Sequence, residues 1–186
     1  MNLPNKLSFL RVLLIPVIVL FYYFPSLGFS DNELGYYLLS VIFIVASLTD
    51  FLDGYLARKM NLVTTFGKFI DPLADKLLVL AALLILNDAG IIRIWITVII
   101  LSREFIVTGI RLIAVGEGNV IAASKLGKYK TASTMIALIM LLALPYLPYE
   151  GFKVAGEIVL YIGTALTVIS GIDYFIKNKE IITSSI

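Results

Sequence analysis

The sequence has no cysteine and no histidine in 186 residues. Lacking cysteine, the chain can form neither disulfides nor thiolate–metal sites. Lacking histidine, it has neither the usual general base nor the usual transition-metal ligand, which leaves carboxylates and lysines for proton transfer. The formal net charge is only +2. That is too little to indicate a nucleic-acid surface, and no nucleic-acid partner is expected; where the charges sit matters more.

What the chain does have is hydrocarbon. It is 60% hydrophobic, with a mean hydropathy of +0.97; a soluble domain is nearer half apolar. This predicts an integral membrane protein. Six apolar runs are expected to span, at about 7–25, 35–58, 67–87, 91–115, 124–145 and 152–176. Each is near the roughly 20 residues that cross a bilayer as a helix. A closed barrel is the other way to satisfy backbone there, and the runs lack its two-residue alternation. No A-x-A pattern follows residue 24, so the first run reads as a retained span rather than a cleaved signal. Polar breaks fall at 25–34, at Asn87 to Gly90, at Gly116 to Asn119 and at Pro145 to Gly151. No soluble domain is left over, so residues 1–186 read as one membrane domain.

Lysine and arginine set the orientation. With six spans both termini share one side. That side collects Lys6, Arg11, Arg58, Lys68, Arg111, Lys128 and their basic neighbours, whereas the opposite ends hold only Arg93 and Lys153 among several acids. The expectation is a six-transmembrane-helix, all-α bundle in the cell membrane, multi-pass, with both termini cytoplasmic. Aromatic residues at 21–24, 36–37 and 146–149 read as interfacial belts.

The chemistry concentrates between Asp50 and Asp75. Asp50, Asp53, Asp71 and Asp75 fall within 26 residues in the pattern D-x2-D-G-x2-A-R-x8-G-x3-D-x3-D. At about 100° per residue, Asp50, Asp53, Gly54 and Ala57 share one helical stripe, and Gly67, Asp71 and Asp75 share another. Two helices joined by a loop near 59–66 would be antiparallel neighbours. Asp50 then lies roughly 12 Å from Arg58, and Asp75 roughly 12 Å from Gly67. The carboxylates would meet in two layers, Asp50 with Asp75 and Asp53 with Asp71. Four acids converging in an apolar setting cannot all stay ionised without cations. Oxygen donors suit two hard divalent ions, Mg²⁺ or Mn²⁺, which in turn suit phosphoryl or pyrophosphate chemistry. A row of helix-end surface charges would explain Asp71 alone, but not four on facing stripes interleaved with Gly54, Ala57 and Gly67.

Position for position, this pattern resembles the signature of the CDP-alcohol phosphotransferase family, and the resemblance extends over essentially the whole chain. Asn5, Ser8 and Arg11, the SREF run at Ser102 to Phe105, Arg111, and LGKYKT at Leu126 to Thr131 are similar to its phosphatidylglycerophosphate synthase branch. The resemblance implies transfer of a phosphatidyl group from CDP-diacylglycerol to sn-glycerol 3-phosphate, giving phosphatidylglycerol phosphate and CMP. It implies that Asp50, Asp53, Asp71 and Asp75 bind the two metal ions. It implies a CDP site of Asn5, Asp50, Gly54, Ala57, Arg58 and Gly67, and Asp75 as the base on the acceptor hydroxyl. It also implies a homodimer and an active site facing the cytoplasm.

Charges inside a span usually face a cavity or a partner. Arg103, Glu104 and Arg111 read as a basic phosphate pocket in which Glu104 holds an arginine; a structural Arg–Glu pair with a snorkelling Arg111 is the plainer alternative. Among Lys125, Lys128 and Lys130 the residues alone do not choose, and positive-inside anchoring would account for all three. The resemblance selects Lys128, with Arg103 and Arg111, for the acceptor phosphate. Asp173 and Lys177 read as a structural i, i+4 pair. A sister enzyme using inositol phosphate, serine or phosphatidylglycerol is the near alternative. A cation channel or transporter would also place acids in a membrane, but gives no reason for Ala57–Arg58 and the spaced glycines.

Overall fold

The computed structural model describes residues 3–24, 40–49, 65–116, 121, 125–143 and 149–179. Six helices occur among them: α1 Leu3–Tyr23, α2 described over Ser40–Thr49, α3 Thr65–Asp88, α4 Ile94–Gly116, α5 Lys125–Leu142 and α6 Glu150–Lys177. All regular structure among the described residues is helical. At 28 residues α6 is about 42 Å long, and it is apolar enough to cross a membrane.

Five of the expected runs match described helices to within about four residues, and of the second, 35–58, only Ser40–Thr49 lies among the described residues. Between α3 and α4 the chain caps rather than continues. Gly90 takes φ +68° and donates its N–H to Asn87 O, while the Ile91 and Ile92 amides reach back to Leu86 O. This is a glycine-terminated helix end of the Schellman kind. It delays the fourth helix from the expected 91 to Ile94. The fifth helix stops at Leu142 rather than 145.

The core is built around α3. Leu78, Leu83 and Leu86 are at most 1% exposed and pack with Phe43 of α2, Ile96 of α4 and Leu138 of α5. α5 lies along α6, α1 along α3, and α4 against α6. Small residues permit the α5–α6 contact: a Cβ on Gly163 would come within 3.0 Å of Ser133 Oγ and 3.3 Å of the Thr134 backbone nitrogen. The Ser40 hydroxyl donates to Leu142 O and ties α2 to the end of α5.

Some hydroxyls inside the bundle are satisfied within their own helix. Thr164 and Thr167 donate to the carbonyls four residues back, at 2.8 and 2.7 Å. Such back-bonding removes hydroxyls from an apolar setting. Outward faces are apolar instead: Ile94, Val98 and Leu112 of α4, and Ile158, Ile169 and Ile176 of α6, are all exposed. An exposed apolar surface on two long helices suits hydrocarbon rather than water.

Alternating direction has one consequence for chemistry. The start of α3, the end of α4, the start of α5 and the end of α6 all lie at one end of the bundle. The carboxylate half and the cation-bearing half of the sequence meet there.

Candidate active site

At that end, α3 contributes Asp75 and Lys76. Asp75 is half-buried, on the same stripe as Leu78 and Ala82, so the packed face of α3 carries it inward. Asp71 and Gly67 stand one and two turns earlier on the same helix. Asp50, Asp53, Gly54, Ala57 and Arg58 lie outside the described residues, as does the Asn5 side chain. Among the described residues no three carboxylates form a metal cluster; three of the four expected ligands contribute no described side chain there. The donor set remains all oxygen, since the chain holds no histidine and no cysteine. Carboxylate oxygens fit Mg²⁺ or Mn²⁺.

Around Asp75 and Lys76 the structure assembles a network that joins four helices. Lys76 Nζ donates to Thr108 Oγ1, and Thr108 in turn donates to Glu104 O at 2.7 Å. The carboxylate of Glu104 accepts from two cations: Lys130 of α5, and Arg103 Nη1 at 3.0 Å. Arg103 continues to α6, donating from Nη2 to Ser170 Oγ at 3.2 Å. Its stem passes Gly171, where a Cβ would stand 3.0 Å from Arg103 Cγ. Arg103 Nε is buried with no hydrogen-bond partner among the described residues. Arg111, two turns along α4, donates from Nε to the Tyr174 hydroxyl at 3.2 Å, with its guanidinium 5.6 Å from that ring's centre.

The expected basic pocket is therefore a seam between α4 and α6. It contains Arg103 and Arg111, and Glu104 holds Arg103 rather than Arg111. Arg111 remains exposed. Lys128 is exposed too, whereas Lys130 is 5% exposed and ion-paired. The sequence reading left Lys125, Lys128 and Lys130 undivided, and the resemblance selected Lys128. Counting back from the buried stripe of Leu141, Leu138, Ala137 and Thr134 in steps of three or four reaches Lys130, and that count was the available signal. Lys76 was missed as well, although a lysine eleven residues inside a 24-residue apolar helix needs a partner. Arg11, read as a possible anchor, is 2% exposed and thus packed inside. The Asp173–Lys177 pair forms as expected, at 2.8 Å on the outer edge of α6.

A crevice of about 100 Å³ opens beside this network, between α3, α4 and α5. Asp75, Lys76, Glu104 and Lys130 line it, together with apolar side chains. Two acids, two lysines and a nearby guanidinium give this end of the crevice a proton acceptor and cations side by side.

Comparison with known proteins agrees with the signature. The model of the CDP-alcohol phosphatidyltransferase family matches residues 1–169. A Bacillus subtilis (strain 168) protein named CDP-diacylglycerol–glycerol-3-phosphate 3-phosphatidyltransferase is 45% identical, over 99% of this chain and 98% of its own length. A Rickettsia felis protein of the same name is 41% identical over 96% of each chain. A Mycobacterium tuberculosis protein named probable phosphatidylglycerophosphate synthase is 40% identical over 93% of this chain and 79% of its own. With the four-aspartate signature, the Asp75 network and a match over most of its length, this chain belongs to the CDP-alcohol phosphatidyltransferase family.

Proposed function

We propose that this chain transfers the phosphatidyl group of CDP-diacylglycerol to sn-glycerol 3-phosphate, releasing CMP and forming phosphatidylglycerol phosphate. The observation that carries the reading is Asp75 in one crevice with Lys76 and Lys130, where Glu104, the partner of Lys130, also holds Arg103. One substrate must lose a proton and the other brings a phosphate, and the two needs are met by adjacent groups. The close relatives carry the name of that reaction.

In the proposed mechanism, Asp75 accepts the proton of the acceptor hydroxyl. The freed oxygen attacks the phosphorus attached to diacylglycerol, forming the new P–O bond as the pyrophosphate bridge breaks and CMP leaves with the electron pair. Asp50, Asp53, Asp71 and Asp75 would hold two divalent ions, which neutralise the pyrophosphate and the leaving oxygen when bound. Asn5, Asp50, Gly54, Ala57, Arg58 and Gly67 would hold the nucleotide, glycine letting backbone approach it closely. Arg103, Arg111 and Lys128 would bind the acceptor phosphate and keep it apart from the pyrophosphate. Glu104 and Lys130 position this seam without being ligands.

The setting we infer is a single domain over residues 1–186, a six-span bundle in the cell membrane, dimeric, with both termini and the site cytoplasmic. Basic residues at the site end of the helices and acids with few cations at the other support that orientation.

Resolving the lipid product from purified protein, CDP-diacylglycerol and a panel of glycerol 3-phosphate, inositol phosphate and serine tests the function. Phosphatidylglycerol phosphate should dominate, and Asp75→Asn should abolish it while the protein still inserts. A dominant inositol phosphate product would move the chain to a sister activity; a folded Asp75→Asn variant with normal turnover would remove Asp75 from the chemistry.

A further inference from the structure

We propose that the crevice between α3, α4 and α5 seats one acyl chain of the lipid substrate, and that its open side is where that lipid enters. The proposal rests on the phosphatidyl-transfer reading and adds to it a place.

The lining changes along the crevice. Asp75, Lys76, Glu104 and Lys130 form one end. About one helical turn deeper into the bundle, the wall becomes Leu80, Leu101 and Met135. One turn is about 5.4 Å, so polarity falls to hydrocarbon within the depth of a glycerol ester. A diacyl lipid standing with its head at the bundle end and its tails toward the bilayer centre has the same gradient.

Two bridges mark the boundary. Lys76 to Thr108 links α3 with α4, and Glu104 to Lys130 links α4 with α5. They pair Lys76, Glu104 and Lys130 at the rim, so a chain sliding beneath leaves those three groups partnered. The open side carries apolar side chains: Phe105 is 66% exposed and Leu73 41%. Water is a poor occupant of the floor, because a bound water needs two to four polar partners. The acceptor is a worse one, since burying a phosphate in hydrocarbon carries a large penalty.

A larger groove of about 430 Å³ runs between α4 and α6, past Ile106, Ile172 and Phe175. Among the described residues no carboxylate lines it, so a chain lying there is not led to the reacting group. The smaller crevice ends on Asp75, which is the reason for choosing it.

The test compares KM for dioleoyl and dibutyryl CDP-glycerides in mixed micelles, using the parent protein, Leu80→Trp and Met135→Trp. Filling the floor should raise KM for the dioleoyl donor about 10-fold, equivalent to losing roughly two buried methylenes. KM for the dibutyryl donor and for glycerol 3-phosphate should stay within about twofold. Equal changes for both donors, or none, would overturn the crevice and leave the phosphatidyl-transfer reading intact. A parent protein using neither donor would overturn both. Because either tryptophan could prevent folding, the parent protein is also photolabelled with a donor carrying a terminal acyl diazirine. Label at Leu77 to Leu80, Leu101 to Phe105 or Met135 supports the assignment; label confined to Ile172 to Ile176 refutes it.

Discussion

Replacing Glu104 by glutamine removes the one carboxylate that Lys130 and Arg103 share. The side chains are 7% and 13% exposed on the cations and 21% on Glu104. Glutamine keeps an acceptor oxygen for one donor but leaves Lys130 charged without a counter-ion, inside a packed seam. Breaking a fully buried pair costs about 3–5 kcal/mol. Glu104 keeps about a fifth of its side chain in contact with surroundings, so about 2–3 kcal/mol is the expected loss here. For a chain of this length that lowers the unfolding midpoint by about 4–12 °C, at roughly 2–4 °C per kcal/mol.

The control is reciprocity. Lys130→Met alone leaves Glu104 with Arg103 as its partner, so it should cost less than Glu104→Gln. In the double variant the orphaned charge is gone, and the midpoint should return most of the way to the parent. Thermal unfolding of the four proteins in one detergent completes a double-mutant cycle. An unchanged midpoint for Glu104→Gln, or two effects that simply add, would refute the bridge and the positioning role given to Glu104.

Other outcomes follow from the same coordinates. Arg111 is exposed and held only by Tyr174 among the described residues, so Arg111→Gln should raise the acceptor KM by roughly 10- to 150-fold, the worth of one charge-assisted contact, with little change in stability or in donor KM. Arg103→Gln, which also loses Glu104 and Ser170, should lower the thermal midpoint as well; equal midpoints for the two variants would argue against the seam. Gly163→Ala should destabilise by about 1–3 kcal/mol, because its Cβ meets α5 backbone, whereas Gly109→Ala, with open space, should stabilise by about 0.5–1 kcal/mol. A cysteine at Glu150 should react with an impermeant reagent outside intact cells and one at Thr64 should not; reversed labelling would invert the orientation.

How much of this was legible beforehand divides along physical lines. Helix positions followed from runs of apolar residues, because backbone in hydrocarbon has few options. Helix ends were off by a few residues where a local cap decided, as at Gly90. Asp75 was legible because an acid on an apolar stripe is conspicuous. Pair identities were not. Helical phase puts Glu104 and Arg111 on one face, yet the carboxylate turns to its sequence neighbour Arg103 and across to Lys130. Which cation wins depends on where α5 and α6 lie, and a single helix's period carries no information about that. Lys130 and Lys128 differ by two residues, or about 200°, enough to separate a packed position from a solvated one.

The consecutive pair Asp75 and Lys76 shows why the carboxylate half and the cation half of the chain can serve one reaction. Adjacent helical residues point about 100° apart. Asp75 follows the stripe of Asp71 and Leu78, while Lys76 reaches Thr108 on α4. α3 thus offers an acid on one side and a cation on the next, at one height in the bundle. A hydroxyl brought to Asp75 lies within a side chain's length of Lys76, while Arg111 lies about two turns further toward the mouth than Arg103. A small acceptor that carries both a hydroxyl and a phosphate presents one group to the acid and another to the cations. A bare alcohol can reach the acid but has nothing for the seam to hold. In the proposed reaction it is the combination of acid and cations at one end of the bundle, rather than either alone, that favours a phosphorylated acceptor.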